Sequence, residues 1–278
     1  MIGSIIGDIV GSIYEFHNIK TKNFEFFNGR GSYTDDSILT LATADWILNG
    51  GDVAHYYSKY AIDYPLPMGG YGSRFLEWVN TTRWEKKFYP YNSCGNGSAM
   101  RVGPVGWAFD NVKEVLVKAK ESAECTHDHP EGIKGAQATS LCIFMARTGA
   151  SKDEIRKEIE KRFQYNLHFT CDEIRPSYRW GATCQDSVPQ AIVAFLDGKD
   201  YEDSVRNAIS IGGDSDTIGC ITGSIAEAFF GVPQDIRDQG MSYLPYKFKQ
   251  LVLSFEEKFP CNKEVKKEKN GFFQKWFK

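Results

Sequence analysis

The chain has 278 residues, 42% hydrophobic and 25% charged, with a net charge of -3. That length is enough to bury a substantial core, and the mild negative balance argues against a nucleic-acid backbone as the main partner. Seven cysteines, an odd number with no C-x-x-C pair, read as reduced thiols and not as a disulfide framework.

The N-terminal stretch Met1 to Ile13 is apolar and rich in glycine, but it carries Asp8 and no basic start. It is also shorter than the roughly 20 residues that span a bilayer. No later stretch is longer or more apolar, so the expectation is a soluble, cytoplasmic protein with no transmembrane segment. Gly3, Gly7 and Gly11 recur every fourth position and so share one helical face. Glycine costs a helix interior about 1 kcal/mol against alanine, and close approach of another helix or of a metal site is the reason expected. Gly219 and Gly223 repeat the device, which makes these two helices candidates for a tightly packed central pair.

Thr34-Asp35-Asp36-Ser37 is the first of two acidic clusters, and it leads into a helical pattern over Asp35 to Leu48 that stops at Gly50-Gly51. Further helical patterns cover Val53–Ile62, Tyr71–Asn80, Val112–Glu124, Gly132–Arg147, Lys152–Phe163, Ser187–Leu196, Tyr201–Ile211 and Asp216–Phe230. Strand candidates are Thr21–Phe27 and the region around Tyr165–Thr170. Loops at Tyr64–Gly72, Phe88–Gly97 and Ile174–Gly181 hold much of the proline, glycine and tyrosine. The expected fold class is all-α: one domain of about ten helices over residues 1–258, with functional groups on loops and helix starts. Residues 259–278 form a lysine- and aromatic-rich tail. As a helix it would gather Phe272, Phe273, Trp276 and Phe277 on one side, for a partner or membrane surface; docking on its own domain or disorder is the commoner fate of such a terminus.

The second acidic cluster is Gly212-Gly213-Asp214-Ser215-Asp216-Thr217. Crowded carboxylates repel unless a cation or proton neutralises them, and oxygen-only donor sets suit Mg²⁺, Mn²⁺ or Ca²⁺ better than Zn²⁺. Four Asp carboxylates and two Thr hydroxyls, brought together, would serve two ions. Taken singly, either cluster could equally be a helix cap, with Thr34 or Asp214 at the N-cap. Two clusters offering more oxygens than capping uses favour metal. Cys125, His127 and His129 offer three zinc ligands, but no fourth is evident and structural zinc needs four.

Five stretches taken in order, GDIVGSIYEF (Gly7–Phe16), YTDDS (Tyr33–Ser37), GNGSAMR (Gly95–Arg101), THDHP (Thr126–Pro130) and GGDSDTIG (Gly212–Gly219), resemble the ADP-ribosylglycohydrolase family. The resemblance runs from residue 1 to roughly 250 and includes the dinitrogenase-reductase-activating and ADP-ribosyl-acceptor hydrolases. It implies a compact all-α fold with two Mg²⁺ ions, or Mn²⁺, in a cleft. By position it implies Thr34, Asp35, Asp36, Asp214, Asp216 and Thr217 as metal ligands. Glu15, Asp35 and Asp214 are the catalytic residues it implies, with Glu15 a substrate-positioning group or general base. Gly95, Asn96, Gly97 and His127 then contact ADP-ribose, the loop through backbone N–H groups on phosphate and the imidazole on a ribose hydroxyl. Tyr71 either edges the substrate or is a core aromatic, and Arg101 either meets phosphate or is buried structurally.

The activity implied is hydrolysis of the bond between ADP-ribose and its acceptor, a serine- or arginine-linked protein or a small ADP-ribose derivative. The short spacing around Glu15 leans towards the serine type. The rivals are a non-catalytic ADP-ribose-binding protein and a binuclear phosphohydrolase acting on a nucleotide.

Overall fold

The computed structural model describes residues 1–260. Among them the chain forms helices and no regular strand. In order these are α1 (Ile2–Gly11), α2 (Asp35–Asn49), α3 (Val53–Asp63), α4 (Ser73–Glu85), α5 (Gly97–Met100), α6 (Gly103–Ala108), α7 (Val112–Glu124) and α8 (Pro130–Arg147). After them come α9 (Lys152–Phe163), α10 (Cys171–Ile174), α11 (Cys184–Asp197), α12 (Tyr201–Ser210), α13 (Ser215–Phe230), α14 (Gln234–Ser242) and α15 (Tyr246–Lys258).

The centre is the pair α1 and α13. Every residue of α1 is buried, as is every residue of α13 up to Ala228, the condition of helices that are apolar or small on all sides. Their glycines make the contact possible. A Cβ added at Gly7 would lie 2.0 Å from the Gly219 carbonyl oxygen, and one at Gly223 would lie 2.1 Å from that of Gly3. One at Gly11 would lie 2.4 Å from that of Ser215. Partners advance along one helix as they retreat along the other, so the pair is antiparallel. The C-terminal end of α1 therefore delivers Glu15 beside the start of α13. Helices α8, α11 and α12 pack around α13, and α2 lies against α1.

Expected and observed helices agree closely at α7 and α9, whose caps are explicit: Asn111 accepts from the Glu114 N–H, and Ser151 forms a capping box with Glu154. The two strand candidates are corrected. Over 21–27 the backbone has no partner strand. Its Lys22 and Phe24 carbonyls instead accept from the Arg206 guanidinium, which also lies against the Phe24 and Phe26 rings. Over 165–170 the Leu167 N–H goes to Glu160 and its carbonyl to Arg156, both side chains of α9. The tail's aromatic cluster, Phe272, Phe273, Trp276 and Phe277, expected to meet a partner or membrane surface, lies outside the described residues. No helix among the described residues is long and apolar enough to cross a membrane.

Candidate metal centre

Asp8, buried in the middle of α1, anchors the first acidic cluster. Its carboxylate accepts from Thr34 N (2.9 Å), Thr34 Oγ1 (2.7 Å), Ser37 N (3.1 Å) and Ser37 Oγ. Burial raises its pKa to about 6, and those four donors hold it from rising further. The Thr34 hydroxyl also accepts from Asp36 N (3.2 Å), which makes it the N-cap of α2. That pins Asp35 and Asp36 in the first helical turn. Thr34 is fully buried and its hydroxyl is engaged twice, so one lone pair is left for anything else.

The second cluster is turned into place by Gly212 and Gly213, both left-handed with φ of 72° and 80°. Asp214 stands at the N-cap position of α13 but makes no cap bond; its Oδ2 accepts from Asn96 Nδ2 at 2.7 Å. Asn18 ties this turn to the end of α1. Its Nδ2 donates to the carbonyls of Tyr14 (2.6 Å), Glu15 (2.9 Å) and Gly213 (2.8 Å), and its Oδ1 accepts from Gly213 N (2.7 Å).

The fold brings the two clusters together: Thr217 Oγ1 donates to Asp36 Oδ2 at 3.2 Å across 181 positions of sequence. Asp36 is 2% exposed, yet its Oδ1 has no hydrogen-bond partner. Carboxylate oxygens of Glu15, Asp214 and Asp216 all lie within 4.8 Å of one another. Such crowding leaves its mark on every acid. Burial, then the Asp214 and Asp8 charges, raise Glu15 to about 7. Burial heads the causes that push Asp35, Asp36 and Asp216 well above the usual carboxylate range, followed by their neighbours' charges. Asp214 is raised by burial against the hydrogen bond from Asn96. A buried orphan oxygen and mutually repelling carboxylates are what a pair of hard divalent cations would relieve.

Glu15, Asp35, Asp36, Asp214 and Asp216 line a cleft of about 400 Å³. Its wall also includes Tyr71, Gly95, Asn96, Gly97 and His127. Tyr71 donates its hydroxyl to the Tyr64 carbonyl (2.9 Å) and packs on Phe75, so it is both core and wall. His127 Nδ1 is bonded to Thr126 Oγ1 (2.7 Å), and burial, then Arg101 and Arg74, hold the ring far below its usual pKa and neutral. The Gly95–Gly97 loop is not an open cradle of donors. Gly95 N–H goes to Ser93 Oγ (3.1 Å) and Asn96 N–H to the Ala182 carbonyl (2.9 Å). Gly97 also lies close under the imidazole: a Cβ there would stand 3.2 Å from His127 Nε2, and the ring would have to give by a few tenths of an ångström. Arg101 is 0% exposed, stacks 3.9 Å over the Tyr57 ring, and donates to the Ser122 carbonyl and Thr126 Oγ1. Its role is structural.

No zinc set forms. His129 Nδ1 caps α8 by accepting from Glu131 N, and Cys125 Sγ faces the Ser122 carbonyl. Sequence alone did not single out Asp8 or Asn18 as parts of the site, nor the exposed aromatics Phe16 and Trp180, the two of these four that line the cleft. An acid set inside a run of Ile and Gly was the available signal for Asp8.

The sequence model of the ADP-ribosylglycohydrolase family matches residues 1–259. The ADP-ribosylhydrolase ARH3 of Homo sapiens is 27% identical over 334 aligned positions, which span 92% of this chain and 89% of that protein. The ADP-ribosylarginine hydrolase Tri1 of Pseudomonas putida (strain GB-1) is 23% identical, spanning 84% of this chain and 70% of that protein. Among solved structures, an ADP-ribosylglycohydrolase-related protein complex superimposes with a TM-score of 0.68 at 20% identity, covering 92% of this chain and 96% of that one. That last likeness speaks to the fold.

Proposed function

The chain belongs to the ADP-ribosylglycohydrolase family, and from that premise we propose that it hydrolyses the glycosidic bond between ADP-ribose and its acceptor, reversing ADP-ribosylation. The observation that carries this reading is the convergence of two distant acidic clusters around an unpartnered buried Asp36 Oδ1 in the wall of a nucleotide-sized cleft.

The donor set fits two hard divalent ions. Asp35, Asp36, Asp214, Asp216 and Thr217 would hold them, with Thr34 supplying its remaining lone pair. When bound, such ions would grip ribose hydroxyls and polarise the reacting centre. The remaining work falls to the chain's own side chains. Glu15, whose carboxylate lies among those of Asp214 and Asp216, accepts the proton of the water that attacks the anomeric carbon or of a ribose hydroxyl. Neutral His127 hydrogen-bonds a ribose hydroxyl through the Nε2 that faces Gly97. Asn96 fixes the Asp214 rotamer and does not reach for phosphate itself. The serine linkage is the first acceptor to examine, on the spacing around Glu15. Arginine is the second, a linkage named in the relative from P. putida.

Asp214→Ala and Asp36→Ala are expected to lose divalent-ion binding in a calorimetric Mg²⁺ titration, and to lose activity with it. Full turnover of Asp214→Ala under saturating Mg²⁺ would sink the ligand assignment.

A further inference from the structure

We propose that Arg74 is the diphosphate-binding cation of this cleft, a residue that sets affinity for ADP-ribose while taking no part in the acidic cluster. This rests on the ADP-ribosyl reading above.

Of the residues lining the cleft, two carry a fixed positive charge, Arg74 and Arg101. Arg101 is fully buried and its guanidinium is taken up by Tyr57, Ser122 and Thr126. Arg74 is exposed. One of its five N–H donors is spent, on the Tyr91 carbonyl, with the guanidinium 5.0 Å from the Tyr91 ring centroid. The others are open to solvent on the cleft wall.

Position along the cleft selects the ligand group. Glu15 and the Asp residues line this cleft and no part of the hollow next to it. Arg74 lies instead beside Tyr91, whose ring centroid is 5.9 Å from that of His127. Past Arg74 and Tyr91, which line both, the surface continues into a second hollow of about 290 Å³ with Trp78 and Tyr89 in its wall. A ligand whose terminal ribose sits among the acids places its middle at Arg74 and leaves room beyond for its nucleoside end. The middle of ADP-ribose is the diphosphate. Guanidinium is the side chain best shaped for that group, since its planar fork matches two phosphate oxygens at once. The Gly95–Gly97 loop has already spent two of its N–H groups, which leaves the diphosphate to a charged donor elsewhere in the lining. Arg74 stands in the first turn of α4, which begins after Gly72.

The test is ADP-ribose binding to the full-length protein with Mg²⁺, by calorimetry at several salt concentrations, for wild type, Arg74→Ala, Arg74→Gln and Arg74→Lys. The proposal expects Arg74→Ala and Arg74→Gln to weaken binding alike, by about 10- to 100-fold. Both should flatten its salt dependence, with Arg74→Lys between them and wild type. Mg²⁺ affinity should be the same in all four. Glutamine can still donate to the Tyr91 carbonyl, so Arg74→Gln binding like wild type would make Arg74 a strut for Tyr91 and overturn the proposal. Unchanged binding by Arg74→Ala overturns it too, leaving the ADP-ribosyl reading intact. A wild-type protein that does not bind ADP-ribose takes down both.

Discussion

Asp8 shows how much one side chain organises. Four donors from Thr34 and Ser37 converge on its two oxygens, so the acid ties α1 to the cap of α2 and thereby aims Asp35 and Asp36. An amide has one acceptor oxygen and a donor group of its own. Asp8→Asn is therefore expected to leave at least one buried donor unpaired, at a cost of about 1–3 kcal/mol in chemical denaturation, and to weaken Mg²⁺ binding as the cap loosens. Unaltered stability would contradict this account of Asp8. Thr34 and Asp214 make the complementary point. Both looked like helix caps in the sequence, and in the fold only Thr34 is one. Cap and ligand draw on the same few residue types, so sequence could find both clusters but not tell the two uses apart. It also named Asn96 without its partner, because the bond to Asp214 spans 118 positions.

Among the elements, the α1–α13 contact is the most demanding. Gly7→Ala would push a methyl carbon to 2.0 Å from the Gly219 carbonyl oxygen, and main chain cannot rotate away as a side chain can. We expect a loss of more than about 1–3 kcal/mol in urea denaturation, beyond ordinary overpacking. Gly7→Ala tolerated at wild-type stability would mean the helices do not meet here. Asn18→Ala tests the clamp between the end of α1 and the Gly213 turn. It is expected to lower turnover by misplacing Glu15 while the global unfolding midpoint moves little, because the residue is exposed. A loss of stability without loss of turnover would reverse that assignment. The glycine stripe was legible, since its period of four has no purpose in a solvent-facing helix. The α7 and α9 limits were legible through their caps. The four-residue helices α5 and α10 were not, being too short to show a period, and α14 and α15 follow prolines without side-chain cap bonds. The strand over 21–27 was misread because alternating aromatics serve Arg206 there in place of a sheet.

On the scale of the whole molecule, the acidic centre couples stability to pH and to metal. Asp8 and Glu15 are raised to about 6 and about 7, so the fold holds their protons more tightly than the unfolded chain does. That contribution is complete below about pH 4, where both states are protonated, and is lost as pH rises through the folded values. With chelator present, the melting temperature should fall between about pH 5 and about pH 8. Divalent ions displace the same protons, so stabilisation by Mg²⁺ should grow across that window. A chelated protein that becomes more stable towards pH 8, or a Mg²⁺ shift independent of pH, would count against a metal centre built from these acids.

The most direct test of the whole account is release of ADP-ribose from serine-linked and arginine-linked mono-ADP-ribosyl peptides, followed by chromatography with Mg²⁺ or with EDTA. The account predicts intact ADP-ribose from at least one peptide with Mg²⁺ and none with EDTA. AMP or inorganic phosphate in place of ADP-ribose, or release undiminished by EDTA, would contradict it.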